Sequence, residues 1–217
     1  MVNRKQYNRY GTSDVIEAQY EPGSYGHVLK NKLGIKRKRE MDEAESAALK
    51  VALDTLLGMY DENHCFTEED IRKTHKIWLG NIYEWAGKYR QVKLSKGGFT
   101  FAFPAQVPKL MDDFEQDFLR AYTPCKFRSS EQIIKALAII HTELVLIHPF
   151  REGNGRVARI LATLMALQAG LPPLDFSWIV GKKKKEYIAA IQAGMSHNYR
   201  PMEKIFASVI HITLRAR

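Results

Sequence analysis

A chain of 217 residues, 45% of them apolar, is long enough to bury one sizeable core and too apolar to stay disordered. Its two cysteines, Cys65 and Cys125, lie far apart with no CxxC or CxxH neighbour, which argues against a disulfide framework or a zinc site and fits a reducing, cytoplasmic setting. The formal charge of +9 directs attention to anionic partners: nucleic acid, nucleotide phosphates or an acidic protein face.

The N-terminal stretch "MVNRKQYNRYGTSD" is charged but has no apolar h-region, and no stretch approaches the roughly 18 apolar residues of a membrane span. The expectation is a soluble protein, not exported by a cleaved signal and with no membrane partner. No repeat, low-complexity tract or Pro/Gly/Ser linker divides the chain, so residues 1–217 read as a single domain. The basic runs "KRKR" (36–39) and "KKKK" (182–185) lead into helical patterns without interleaved aromatics; they read as solvated surface, and nucleic acid is not the expected partner.

Apolar spacings of three and four predict helices over 41–60 and 67–87, with Thr67 and Asp70 forming a capping box at the second. Further helices are predicted over 106–122, 130–147, 155–170, 182–194 and 201–214, so the fold class is all-α. The exception is "YRQVKLSKGGFTFAF" (89–103), where Gly97-Gly98 separates two short segments rich in β-formers and predicts an isolated β-hairpin. Its outer strand would present unpaired N–H and C=O groups unless something pairs there.

The stretch "HPFREGNGR" (148–156) carries the chemistry. The preceding "IIKALAIIHTELVLI" is apolar nearly all round and predicts a buried central helix, while Pro149 turns His148 out of helical geometry at its end. Gly153-Asn154-Gly155 supplies backbone freedom at the start of a new helix, whose free N–H groups and dipole favour an anion. Arg156 and Arg159 fall at i and i+3 on its first turn, side by side for a bidentate grip on phosphates. Glu152 is an oxygen ligand suited to Mg²⁺, which takes one carboxylate, phosphates and waters, and His148 becomes a base beside a phosphate. Together these groups suit attack on a nucleoside triphosphate. His141 and His211, alone on their helices, read as structural.

"HPFREGNGRVAR" (148–159) matches throughout the Fic family signature HPFx(D/E)GNGRxxR, and the chain resembles that family well beyond it. "VLKNKLGI" (28–35), "IYEWAGKYR" (82–90) and "YRPMEKIF" (199–206) are similar to its flanking landmarks, so the resemblance covers about residues 20–212. It implies a Fic fold with a hairpin flap, similar to single-domain bacterial Fic toxins, and transfer of AMP from ATP to a hydroxyl of a target protein. By motif position His148 resembles the general base and Glu152 the Mg²⁺ ligand. Asn154 and the backbone of Gly153 and Gly155 resemble the anion hole, Arg156 and Arg159 hold the β- and γ-phosphates, and Phe150 anchors the loop in the core. The intact glycines and second arginine are similar to adenylylating members; the phosphorylating Doc-like branch departs from the motif. Tyr187 resembles an adenine neighbour, while Met195 stands where some relatives carry Asn, so another nucleotide, or phosphate transfer, stays open as the alternative.

The resemblance also gives the hairpin a role. Phe99, Thr100, Phe101, Ala102 and Phe103 would pair with a target segment as an added strand. Fic proteins are commonly restrained by a helix with (S/T)xxxE(G/N), whose Glu pairs with the second motif arginine, here Arg159. The only S/TxxxE spacing is Ser13 to Glu17, with Ala18 in place of Gly or Asn, a match expected about once by chance. The expectation is therefore inhibition by a separate small antitoxin, with Glu17→Gly changing nothing.

Overall fold

Helix α5 (Ser130–Ile147) is buried from Ala136 onwards on nearly every face, which its unbroken apolar run requires. In this computed structural model, which describes residues 15–96 and 99–215, helices α3, α6, α7 and α8 all pack against it. Ser129 starts α5 by accepting the Gln132 N–H at 3.3 Å, and Gln132 returns a bond to the Ser129 N–H. The other helices are α1 (Lys38–Met59), α2 (Glu68–Leu79), α3 (Val107–Phe114), α4 (Arg120–Tyr122), α6 (Asn154–Gln168), α7 (Gly181–Ala193) and α8 (Arg200–Arg215). The all-α class therefore holds, with a two-stranded hairpin as its β component.

Two predicted helices end differently, for identifiable reasons. The run predicted over 67–87 stops at Leu79, and residues 80–90 form a loop that buries Ile82, Tyr83, Trp85 and Ala86 without helical geometry. Gly87 sits there at φ +80°, where a Cβ would lie 2.8 Å from the Lys76 Cβ, so only glycine fits. The run predicted over 106–122 passes from α3 through a π-helical turn, Glu115–Leu119, into α4. Buried positions fall at Val107, Met111 and Phe114 and then at Leu119; the five-residue step needs one wide turn to keep Leu119 on the core face.

The hairpin is shorter than 89–103: β1 (Ser95–Lys96) pairs with β2 (Phe99–Thr100), in the register Ser95 with Thr100 and Lys96 with Phe99. Phe101 extends the pairing by donating its N–H to the Leu94 carbonyl at 3.1 Å. The predicted turn at Gly97-Gly98 lies outside the described residues, as does Ser13 of the candidate inhibitory spacing. Among the described residues no helix is long and apolar enough to cross a membrane.

Candidate active site

The loop between α5 and α6 is held by His75 of α2 and by its own Asn154. His148 caps α5 at φ +55°, a left-handed conformation that ends the helix where Pro149 also disfavours its continuation. Phe150 is fully buried and stacks on His75 of α2, rings 3.9 Å apart and 10° from parallel. His75 accepts the Gly87 N–H on Nδ1 at 2.8 Å, which leaves its Nε2–H to donate to the Glu152 carbonyl at 3.1 Å. Burial pushes its pKa down to about 3, so it stays neutral in this role. Asn154 closes the loop on itself: its side chain accepts the Phe150 N–H and donates to the Phe150 carbonyl, both at 2.8 Å.

His148 has one ring nitrogen tied to the backbone and the other free. Its Nδ1 lies 3.0 Å from the Val145 carbonyl, which can only accept, so the proton resides on Nδ1 and Nε2 carries the free lone pair. Burial, aided by the charges of Arg90 and Lys96, pushes its pKa down to about 4. Phe101 of the hairpin stacks on the imidazole at 3.7 Å.

The two glycines have distinct jobs. Gly153 has φ +85° and packs so close to α2 that a Cβ would meet the Trp78 ring at 2.6 Å. Outside its own helix and chain neighbours, Gly155 has no atom within 4 Å of where a Cβ would stand, so the first turn of α6 is open on that side; the Arg156 N–H bonds the Gly153 carbonyl at 2.9 Å, which leaves the N–H groups of Asn154 and Gly155 for an anion. The Asn154 amide, expected as part of an anion hole, is bonded within the loop, whereas Gly155 stands at a helix start with free space beside it.

Glu152 is half exposed, and one carboxylate oxygen accepts the Gly153 N–H at 3.0 Å. Among the described residues no cluster of three His, Cys, Asp or Glu could cage a metal. A lone accessible carboxylate fits Mg²⁺ carried by phosphates, an ion that keeps most of its shell as water and phosphate oxygen.

The arginines do not lie side by side on one anion. Arg156 ion-pairs with Glu45 of α1 at 2.7 Å and lies over the Trp78 ring at 4.4 Å. Arg159 turns the other way, 5.9 Å from the Phe176 ring and beside Tyr187 and His141. Tyr187 shares a 2.7 Å hydrogen bond with His141, so its hydroxyl supports that wall.

The profile of the Fic/DOC family matches residues 65–166, which span α2, the hairpin, α5 and the loop just described. Residues 65–166 are a Fic/DOC domain. The chain is 28% identical, over 83% of its length and 89% of the relative's, to the probable protein adenylyltransferase y4lH of Sinorhizobium fredii. It is 30% identical to the protein adenylyltransferase VbhT of Bartonella schoenbuchensis over 66% of this chain, but spans only 30% of that longer protein. Among solved structures it is similar to the N-terminal Fic domain of a Bartonella quintana VirB-translocated Bep effector, determined with bound ADP. The TM-score is 0.67 and identity 26%, over 83% of this chain and 89% of that one.

The chain braces this site with residues for which the sequence alone signalled no such role. Arg90, 1% exposed, donates to three carbonyls: His148 at 2.7 Å, Val92 at 3.0 Å and Ala102 at 2.7 Å. It thereby ties both legs of the hairpin to the His148 backbone. Glu17 is buried, its carboxylate accepting the N–H groups of Gln91 and Val92 (the latter at 2.9 Å), and its carbonyl accepting from Arg151 at 2.9 Å. It braces the hairpin and makes no ion pair with Arg159, so Glu17→Gly is expected to loosen the hairpin rather than to change nothing. "IYEWAGKYR" pointed to Arg90 as a landmark; nothing in a single sequence joined Glu17, Glu45 or His75 to the loop.

Proposed function

We propose that this chain is a protein adenylyltransferase that transfers AMP from ATP to a side-chain hydroxyl of a target protein. The observation that carries the reading is His148: its proton is fixed on Nδ1, and its free Nε2 belongs to the same loop as an open helix start. The target hydroxyl oxygen forms a bond to the α-phosphorus, the bond from that phosphorus to the β-phosphate bridging oxygen breaks, pyrophosphate leaves, and His148 Nε2 takes the hydroxyl proton. The α6 N-terminus, Arg156 and Arg159 bind the phosphates. Glu152 would hold Mg²⁺, whose charge offsets that of the leaving pyrophosphate. The relatives named adenylyltransferases and the ADP bound by the Bartonella quintana Fic domain support nucleotide use by this chain.

The target segment adds to β2. The register turns the backbone groups of Thr100 away from β1, as a strand addition needs, and Phe99 and Phe101 meet edge to face at 5.0 Å beneath it. Inhibition comes in trans, from a small helical partner that places a Glu at Arg159: among the described residues Arg159 has no ion pair, and its buried Nε has no acceptor.

Incubation of the chain with lysate, Mg²⁺ and ATP, followed by intact-mass analysis of modified proteins, tests the reading. Addition of an adenylyl group, lost with His148→Asn, is the expected result. Addition of a phosphoryl group alone refutes AMP transfer, and repeating the assay with GTP, CTP and UTP identifies the base.

A further inference from the structure

Helix α1 is a mostly solvated element, with Arg37–Glu40, Lys38–Asp42 and Arg39–Glu43 ion pairs on its outer side, yet Glu45 is turned inward and only 3% exposed. A carboxylate is buried at such a position only with partners that satisfy it. Glu45 has three attachments. One oxygen accepts the Tyr83 hydroxyl at 2.8 Å, the other pairs with Arg156 Nη2 at 2.7 Å, and its main-chain carbonyl accepts the Trp78 indole N–H at 2.9 Å. Trp78 in turn carries the Arg156 guanidinium on its ring. Arg156 is therefore gripped by a charge from α1 and a ring from α2.

A second carboxylate competes for the same atom. Glu152, half exposed, lies 3.6 Å from Arg156 Nη2, one helical turn before it in sequence. We propose that Glu45 is a positioning residue for the phosphate site: it draws Arg156 into the closer contact, 2.7 Å against 3.6 Å to Glu152, and so weakens the hold of Arg156 on the Glu152 carboxylate, which stays available to Mg²⁺. The remaining guanidinium donors are left for phosphate oxygens. The inference rests on the reading of Glu152 as the Mg²⁺ ligand. Without the Glu45 charge, the nearest carboxylate to Arg156 is Glu152, and an arginine paired there competes with the metal for the same oxygens. A carboxylate that only held α1 to α2 would not act on metal dependence.

The test is calorimetric binding of ADP to the purified chain, with Mg²⁺ titrated and with EDTA in its place. Glu45→Gln keeps the side-chain volume and an acceptor for Tyr83 while removing the charge. The expected result is a roughly tenfold higher Mg²⁺ concentration for half-maximal enhancement of ADP binding, with ADP affinity in EDTA unchanged or higher. Equal weakening with and without Mg²⁺ means a structural role and overturns the proposal, as does a wild-type Mg²⁺ requirement. Should Glu45→Gln fail to fold, Glu45→Asp withdraws the carboxylate by one methylene and must shift the requirement in the same direction. Glu152→Gln separates the two readings. If it leaves the Mg²⁺ dependence of ADP binding at wild type, the Glu152 assignment fails and this inference with it. If it raises the requirement while the Glu45 variants do not, the positioning role alone is overturned.

Discussion

At the scale of single residues, the loop makes opposite demands on two glycines that look equivalent in the motif. Gly153→Ala forces a side chain onto the Trp78 ring at positive φ, so the expected cost is about 1–3 kcal/mol of stability, read as a lower urea midpoint. Gly155→Ala meets open space in a helical conformation and is expected to stabilise the chain by about 0.5–1 kcal/mol. Its methyl group, however, occupies the side from which an anion approaches, so ADP affinity falls while stability rises. Equal loss of stability in both variants would remove the distinction. For His148 as the proposed base, His148→Asn suits the left-handed backbone better than His148→Ala and should reduce transfer by about 10²–10⁴-fold with nucleotide binding retained. Transfer at the wild-type rate would rule His148 out.

At the scale of elements, the hairpin is short and would be marginal alone, so its placement depends on Arg90 and Glu17. A lysine has one point of attachment where Arg90 has three, which predicts that Arg90→Lys loosens the hairpin from His148. The expected signature is a higher KM for the target with ADP binding little changed, and Glu17→Gly should move in the same direction. A rise in transfer on Glu17→Gly would instead restore it as an internal inhibitor. The helices and the loop were legible in the sequence because their signals are local: apolar periodicity over 130–147, and nine contiguous residues whose types suit phosphate chemistry. The bracing was not legible, since Glu17, Glu45, His75 and Arg90 reach the loop from segments that only the tertiary fold brings near. The orientation of Arg156 escaped for the same reason: i and i+3 spacing sets which face of α6 it leaves from, but Glu45 and Trp78 set where it ends.

At the scale of the whole molecule, the buried histidines tie stability to pH. His75 and His141 are fully buried, and burial lowers their pKa values from 6.5 to about 3 and about 4; His148 is shifted the same way, to about 4. Between those values and 6.5 the unfolded chain binds protons that the folded chain refuses, so stability is complete above pH 6.5 and lost as pH falls. Two fully buried histidines give a slope approaching ~3 kcal/mol per pH unit near pH 5, with His148 steepening it. Glu143 acts in the opposite sense, because burial raises its carboxyl pKa and the folded state then takes up a proton before the unfolded one does. Urea midpoints measured from pH 8 to pH 4 should therefore be level down to about 6.5 and then fall steeply, the drop coming from pairs such as His75 and Phe150 that hold the active-site loop. His75→Gln removes one of the refused protons, and an amide can accept from Gly87 or donate to Glu152 as the imidazole does, so the slope should lessen by about one proton even if the midpoint at pH 8 is lower. An unchanged slope in that variant would mean that His75 already takes up its proton in the folded chain, and the neutral bridge from α2 to the loop would have to be abandoned.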